Sequence, residues 1–110
     1  MSTANKVLSH LGMAMRAGKL VTGDETVLKA VRGGKAKLVL VAGDASDNTK
    51  KKFRDKCNSY NVAMVVALDR ESIGVAIGKA ERVLVAVTDQ GFASMIESGL
   101  KSITEVEYID

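Results

Sequence analysis

The 110-residue chain has no proline and no tryptophan, one cysteine and one histidine, and only 4% aromatic residues. Each scarcity closes something off. Without proline, turns must rely on Gly, Asn, Asp and Ser. With so few aromatics, the core must be aliphatic, built from Val, Leu, Ile, Ala and Met. Cys57 is alone, so it forms no internal disulfide, and with only His10 to join it there is no Cys/His cluster for zinc. Neither a metal nor a cofactor is expected. A lone thiol suits a reducing compartment. The start MSTANKVLSHLGMAMRAGK lacks the basic segment and long apolar stretch of a signal peptide. No apolar run reaches membrane-spanning length. The expectation is a cytoplasmic protein with no membrane partner.

Apolar residues make up 46% and charged residues 26%, the profile of a globular protein. The length allows one domain with a modest core. The net charge of +3 is unevenly spread. Residues 1–56 hold 12 Lys/Arg against 5 Asp/Glu, whereas residues 57–110 hold 4 against 8. The basic half is a candidate polyanion surface. Ordinary surface charge accounts for the same numbers.

Periodicity supplies the architecture. Val7, Leu8, Leu11, Ala14 and Met15 recur at helical spacing, with Ser2, Thr3 or Asn5 as caps and Gly18 as terminator. Lys19–Thr22 is a short strand candidate, and Asp24–Arg32 a helix ended by Gly33-Gly34. KLVLVA at 37–42, 62–67 and RVLVAVT at 82–88 read as strands buried on both faces. Between them lie helices at Asp47–Tyr60 and Arg70–Ile77, and a last one spans Asp89–Leu100. Phe53, Cys57 and Tyr60 mark the inner face of the third helix. The predicted fold is α/β: a single three-layer α/β/α sandwich over 1–110, with a largely parallel or mixed central sheet of about four strands. ITEVEYI alternates at period two, so 101–110 is either an edge strand or a loose acidic tail.

Catalytic constellations are scarce. His10 lies beside the apolar positions of the first helix and reads as a boundary histidine. There is no G-x-S-x-G elbow. Cys57 shares an apolar helix face with Phe53 and reads as core. Carboxylate pairs such as Asp69/Glu71 and Glu105/Glu107 suit capping and solubility. Neither G-x-G-x-x-G nor G-x-x-x-x-G-K-[ST] follows a strand. AGDASDN after a buried strand could cradle a phosphate, but any strand-to-helix turn needs such residues.

The richest constellation lies on the second helix. At about 100° per residue, Lys29 falls about 40° from Glu25 and Arg32 about 20° to the other side. Thr26 borders this stripe, while Val27, Ala30 and Val31 face away from it. Lysine can donate to guanine O6/N7, a carboxylate can accept from base amino groups, and a helix N-terminus offers N–H groups to phosphate. The plain alternative is an i,i+4 Glu–Lys pair on a solvated face.

GDETVLKAVRGGKAKLVLVAGDAS resembles the signature block of the L-seven-Ae kink-turn RNA-binding family, in its bacterial ribosomal-protein-like branch. The matches are Gly23, Lys29-Ala30-Val31, Gly34, Ala36-Lys37-Leu38-Val39 and Ala42/Asp44. SIGVAIGKAERVLVAVTD resembles a second family block through Ile73, Gly74, Ala76 and Gly78, followed by the loop Lys79-Ala80-Glu81-Arg82. Together they cover about residues 4–100. One departure is clear: Glu25-Thr26 stands where the family carries Asn-Glu.

The resemblance implies an RNA site that gathers Gly23, Glu25, Thr26, Lys29 and Arg32 with Lys79, Ala80 and Arg82. It implies a non-catalytic monomer whose partner is structured RNA, a kink-turn in ribosomal or another non-coding RNA, and also the ribosome. Two other functions compete. One is a nucleotide or phosphate site near Gly43-Asp44 and Thr88-Asp89. The other is a protein adaptor using the basic helix around Lys50-Lys51-Lys52.

Overall fold

In a computed structural model, the structure describes residues 3–103 and 107–109. The elements are α1 (Thr3–Arg16), β1 (Leu20–Thr22), α2 (Asp24–Arg32), β2 (Leu38–Val41), α3 (Asp47–Tyr60), β3 (Ala63–Val66), α4 (Arg70–Ala76), β4 (Leu84–Val87), α5 (Gln90–Leu100) and β5 (Glu107–Ile109). The three inner strands are short aliphatic runs, and β2 and β4 are buried at all four positions. Burial on both faces requires cover on both sides.

That cover comes from helices sorted by their apolar stripes. Val7, Leu11 and Ala14 of α1, Ile73 of α4, and Ala93, Ile96 and Leu100 of α5 pack with Leu38, Leu40, Val65, Val85 and Val87 on one face. Val27, Ala30 and Val31 of α2, with Phe53 and Cys57 of α3, pack with Val39, Val41, Met64, Val66, Leu84 and Ala86 on the other. Each Val, Leu, Ile, Phe or Met side chain among them, fully buried, contributes about 1.5–3 kcal/mol relative to exposure. The result is the expected three-layer sandwich.

Two details sharpen the sequence reading and one corrects it. Among the described residues the sheet has five strands in the order β1-β4-β2-β3-β5, the four expected and the edge strand that the C-terminal segment offered. The extra strand is β5 in the alternating C-terminal segment, paired antiparallel with β3 through Met64↔Ile109 and Val66↔Glu107. Residues 104–106 and 110 of that segment lie outside the described residues, as do Met1 and the candidate cap Ser2. Of the two expected arrangements the sheet is the mixed one: among the described residues only β2 and β3 run parallel, and β4 is antiparallel to both β1 and β2. Finally, Tyr60 is 47% exposed and belongs to no inner face. Tyr60 is the last residue of the helix, which Asn61 closes by taking the left-handed conformation (φ 56°), so no further turn of α3 follows to cover it.

Candidate nucleic-acid interface

The strand arrangement decides which loops meet. β1 and β4 pair antiparallel with Thr22 opposite Val85, so the end of β1 and the start of β4 share one end of the sheet. From that end α2 leaves through Gly23, and loop 79–82 enters. The Gly23 N–H donates to the Leu84 carbonyl at 3.3 Å.

Gly23 sits at φ 96° and ψ 153°, a backbone conformation available to glycine and strained for other residues. It precedes α2 without a side-chain cap. The helices α3, α4 and α5 differ: the side chains of Ser46, Asp69 and Asp89 accept from the N–H groups of Thr49, Ser72 and Phe92. A capped start has part of its donor set satisfied internally, while the first-turn N–H groups of α2 have no capping side chain. This contrast is legible in the sequence, since glycine precedes α2 where Ser or Asp precedes the others.

The stripe forms as expected. Glu25, Thr26, Lys29 and Arg32 are exposed, while Val27, Ala30 and Val31 are buried. Glu25, Leu28, Lys29 and Arg32 line one shallow recess. Thr26 and Lys29, with Val21, Ala30, Gly33, Lys35 and Thr88, line a second. Lys29 therefore stands on the ridge between two depressions. The i,i+4 pair does not form: among the described residues, the side chains of Glu25, Lys29, Arg32 and Lys79 make no hydrogen bond or ion pair. Asp24, beside them, is bound by Lys52 of α3 at 2.8 Å.

Loop 79–82 is anchored twice. The Lys79 N–H donates to the Gly74 carbonyl at 2.9 Å, and the Arg82 N–H to the Arg70 carbonyl at 3.0 Å. Gly74 is buried directly against the loop, and a Cβ there would collide with the Ala80 carbonyl and the Glu81 Cα. Lys79 and Ala80 are exposed, whereas Arg82 is half-buried. Arg82 Nε donates to Thr22 Oγ1 at 3.3 Å, and Nη1 donates to the carbonyls of Ala80 and Glu81 at 3.2 and 3.0 Å. Sequence reasoning missed Thr22, because nothing local marks a partner sixty positions away.

The other candidates lie elsewhere. His10 is half-buried on the opposite layer, where α1 meets α5, in a recess with Lys6, Met95, Ser98, Gly99 and Ser102. Cys57 is buried, and burial pushes its thiol up to about 11, far from an activated nucleophile. In the basic run, Lys51 pairs with Asp55 at 3.1 Å and Lys52 with Asp24, so two of its three lysines meet internal carboxylates.

The phosphate alternative loses its geometry. Because β4 runs antiparallel to β2, Gly43-Asp44 and Thr88-Asp89 lie at opposite ends of the sheet. The Asp44 carboxylate takes the Arg70 N–H at 3.1 Å and Arg70 Nε at 3.2 Å, and the Gly43 N–H donates to the Leu68 carbonyl at 2.9 Å. Desolvation works to raise the Asp44 pKa, but the backbone N–H and guanidinium of Arg70 together outweigh it, and the net shift is downward.

An uncapped helix start beside a Gly-anchored loop, on an α/β/α sandwich of this topology, defines a class. The model of the Ribosomal protein L7Ae/L30e/S12e/Gadd45 family matches residues 5–97, and the chain belongs to that family. Among curated relatives it is similar to RNA-binding protein YlxQ of Bacillus subtilis (strain 168), 52% identical over 80% of this chain and 88% of that one. It is also similar to the large ribosomal subunit protein eL30B of Schizosaccharomyces pombe (strain 972 / ATCC 24843), 30% identical over 86% and 82%. These relatives are named as an RNA-binding protein and a ribosomal protein. Among solved structures, a protein of unknown function from Bacillus halodurans C superposes with a TM-score of 0.83 at 47% identity, covering 86% of this chain and 95% of that one. The Giardia lamblia 15.5kD RNA binding protein shares the fold, with a TM-score of 0.76 at 20% identity and 91% and 88% coverage.

Proposed function

We propose that the chain is a non-catalytic RNA-binding protein that recognises a kink-turn or similar G·A-containing bend in structured RNA such as ribosomal RNA. The observation that carries this reading is the convergence at one end of the sheet. The uncapped start of α2 and the anchored loop 79–82 meet there, and Glu25, Lys29 and Arg32, without side-chain partners among the described residues, run from that start along the exposed face of the helix. The names of the relatives support RNA as the ligand class. Lys29, Glu25 and Thr26 read base edges in the opened groove, Arg32 and Lys79 meet phosphates, and Gly23 and Gly78 let backbone approach closely. The protein selects one bend among RNA conformers and does no chemistry on it. It works as a monomer in the cytoplasm, on ribosomal or other non-coding RNA.

The test is a titration of a kink-turn RNA and a straight duplex of equal length at two salt concentrations. The bend should bind more tightly. Lys29→Ala should weaken that binding by roughly tenfold or more, the loss of one good base contact. Lys51→Ala, whose side chain already meets Asp55, should change it little. Equal affinity for the bend and the duplex would remove the proposal.

A further inference from the structure

We propose that Arg82 is a positioning residue: its guanidinium fastens loop 79–82 to the end of β1, fixing the spacing between the loop and the start of α2 before RNA arrives. The inference rests on the RNA reading above.

Three observations carry it. First, Arg82 points inward. Its Nε is bound by Thr22 Oγ1, and Nη1 is shared by the carbonyls of Ala80 and Glu81, so one planar group ties the loop to itself and to β1. A guanidinium carries its donors in a rigid fork, which suits it to hold several acceptors at once. Second, it contrasts with its neighbours. Lys29, Arg32 and Lys79 are exposed and make no side-chain bond among the described residues, whereas Arg82 is half-buried. Third, Thr22 immediately precedes Gly23, whose backbone begins α2. The clamp therefore joins the two halves of the interface through one side chain.

The loop itself has no regular secondary structure. A loop that must order on binding weakens affinity, and a contact that orders it beforehand restores that loss. Arg82 thus acts through the loop, and Lys79 and Ala80 meet the RNA.

The experiment separates a clamp from a phosphate contact. Binding of a labelled kink-turn RNA is measured across a salt series for the intact protein and for Arg82→Ala, Arg82→Lys, Thr22→Val, Thr22→Ser, the double variant Arg82→Ala/Thr22→Val, and Lys79→Ala. Arg82→Ala and Thr22→Val should each weaken binding by roughly tenfold, and the double variant no further, because both remove one interaction. Thr22→Ser keeps the hydroxyl and should bind as the intact protein does. Arg82→Lys keeps the charge but not the fork and should stay weak. The slope of log K against log salt should match the intact protein for Arg82→Ala, and should flatten by about one for Lys79→Ala, which removes a phosphate contact.

A slope flattened by about one in Arg82→Ala, together with recovery in Arg82→Lys, would make Arg82 a phosphate ligand and overturn the proposal. So would unchanged binding in Thr22→Val. Amide hydrogen exchange in the RNA-free protein keeps the two readings apart. Arg82→Ala should speed exchange in 79–82 and leave α3 unchanged, and equal rates overturn the clamp whatever the RNA result. If the intact protein binds bend and duplex alike while exchange responds, the RNA reading fails and the clamp stands as loop architecture alone.

Discussion

Two turns sit at the same end of the sheet and look alike on paper. One joins β1 to α2 through Gly23-Asp24 and lies beside loop 79–82; the other follows β2 through Gly43-Asp44 and lies beside the start of α4. Both offer glycine, a carboxylate, an arginine and a helix start. They differ in what remains unsatisfied. At the second, Asp44 is held by Arg70, Gly43 is bonded to Leu68, and α4 is capped by Asp69. At the first, α2 is uncapped, and Glu25, Lys29 and Arg32 stand without internal partners among the described residues. A binding surface is therefore recognised by the donors and acceptors the fold leaves over, not by the residue types gathered there.

The largest effect expected from this contrast comes from adding one methyl group to each turn's neighbourhood. Gly74→Ala would drive a Cβ into the backbone of Ala80 and Glu81, atoms that cannot swing away as a flexible side chain does. The expected cost is about 1–3 kcal/mol, in the range of overpacking, together with loss of tight binding to the bent RNA as loop 79–82 is displaced. Gly43→Ala places its Cβ 3.0 Å from the Leu68 carbonyl. It should cost about 1 kcal/mol or less and leave RNA affinity unchanged. Urea denaturation and RNA titration of both variants give the answer. Equal effects on RNA binding would erase the distinction between the turns.

How much of this was legible beforehand depends on range. The buried strands were legible because LVLV and LVAV are unbroken apolar runs, and α2's stripe because helical spacing is local. The β4 insertion between β1 and β2 was not, since nothing in a strand's own residues names its neighbours or their direction. That one fact separated Gly43-Asp44 from Thr88-Asp89. The site's residue types were visible, but their state was not. Arg82 reads as one more exposed cation until Thr22 is found beside it, and Asp44 as a free carboxylate until Arg70 arrives from twenty-six positions away.

A smaller effect tests the open turn through the unfavourable charge on its exposed stripe. Glu25 lies on the stripe with Lys29 and Arg32, where RNA phosphates would crowd it. Glu25→Gln keeps an acceptor and removes the charge. A unit charge about 6 Å from a phosphate in water is worth about 0.7 kcal/mol, so affinity should rise about threefold. The gain should vanish near 1 M salt, where the screening length falls to about 3 Å. A drop in affinity at every salt concentration would mean that the carboxylate itself accepts from a base, and that its charge is part of recognition.

The smallest effect belongs to the closed turn, and its sign is set by Asp44. Arg70 holds that carboxyl below its ordinary value of 3.8. A depressed carboxylate contributes stability that is fully present above the unfolded value and is lost as pH falls through the folded one. The Arg70–Asp44 pair is substantially exposed, so Arg70→Ala should cost only about 0.2–1 kcal/mol at neutral pH. The difference between Arg70→Ala and the intact protein should shrink as pH drops below 3.8, because protonated Asp44 has no charge to lose. Urea denaturation at neutral and acid pH measures it. RNA affinity at neutral pH should not move, since the Arg70 carbonyl that supports Arg82 is backbone and survives the substitution. Should affinity fall with stability intact, the Gly43-Asp44 turn would be part of the interface, and the line between an open and a closed turn would have to be drawn elsewhere.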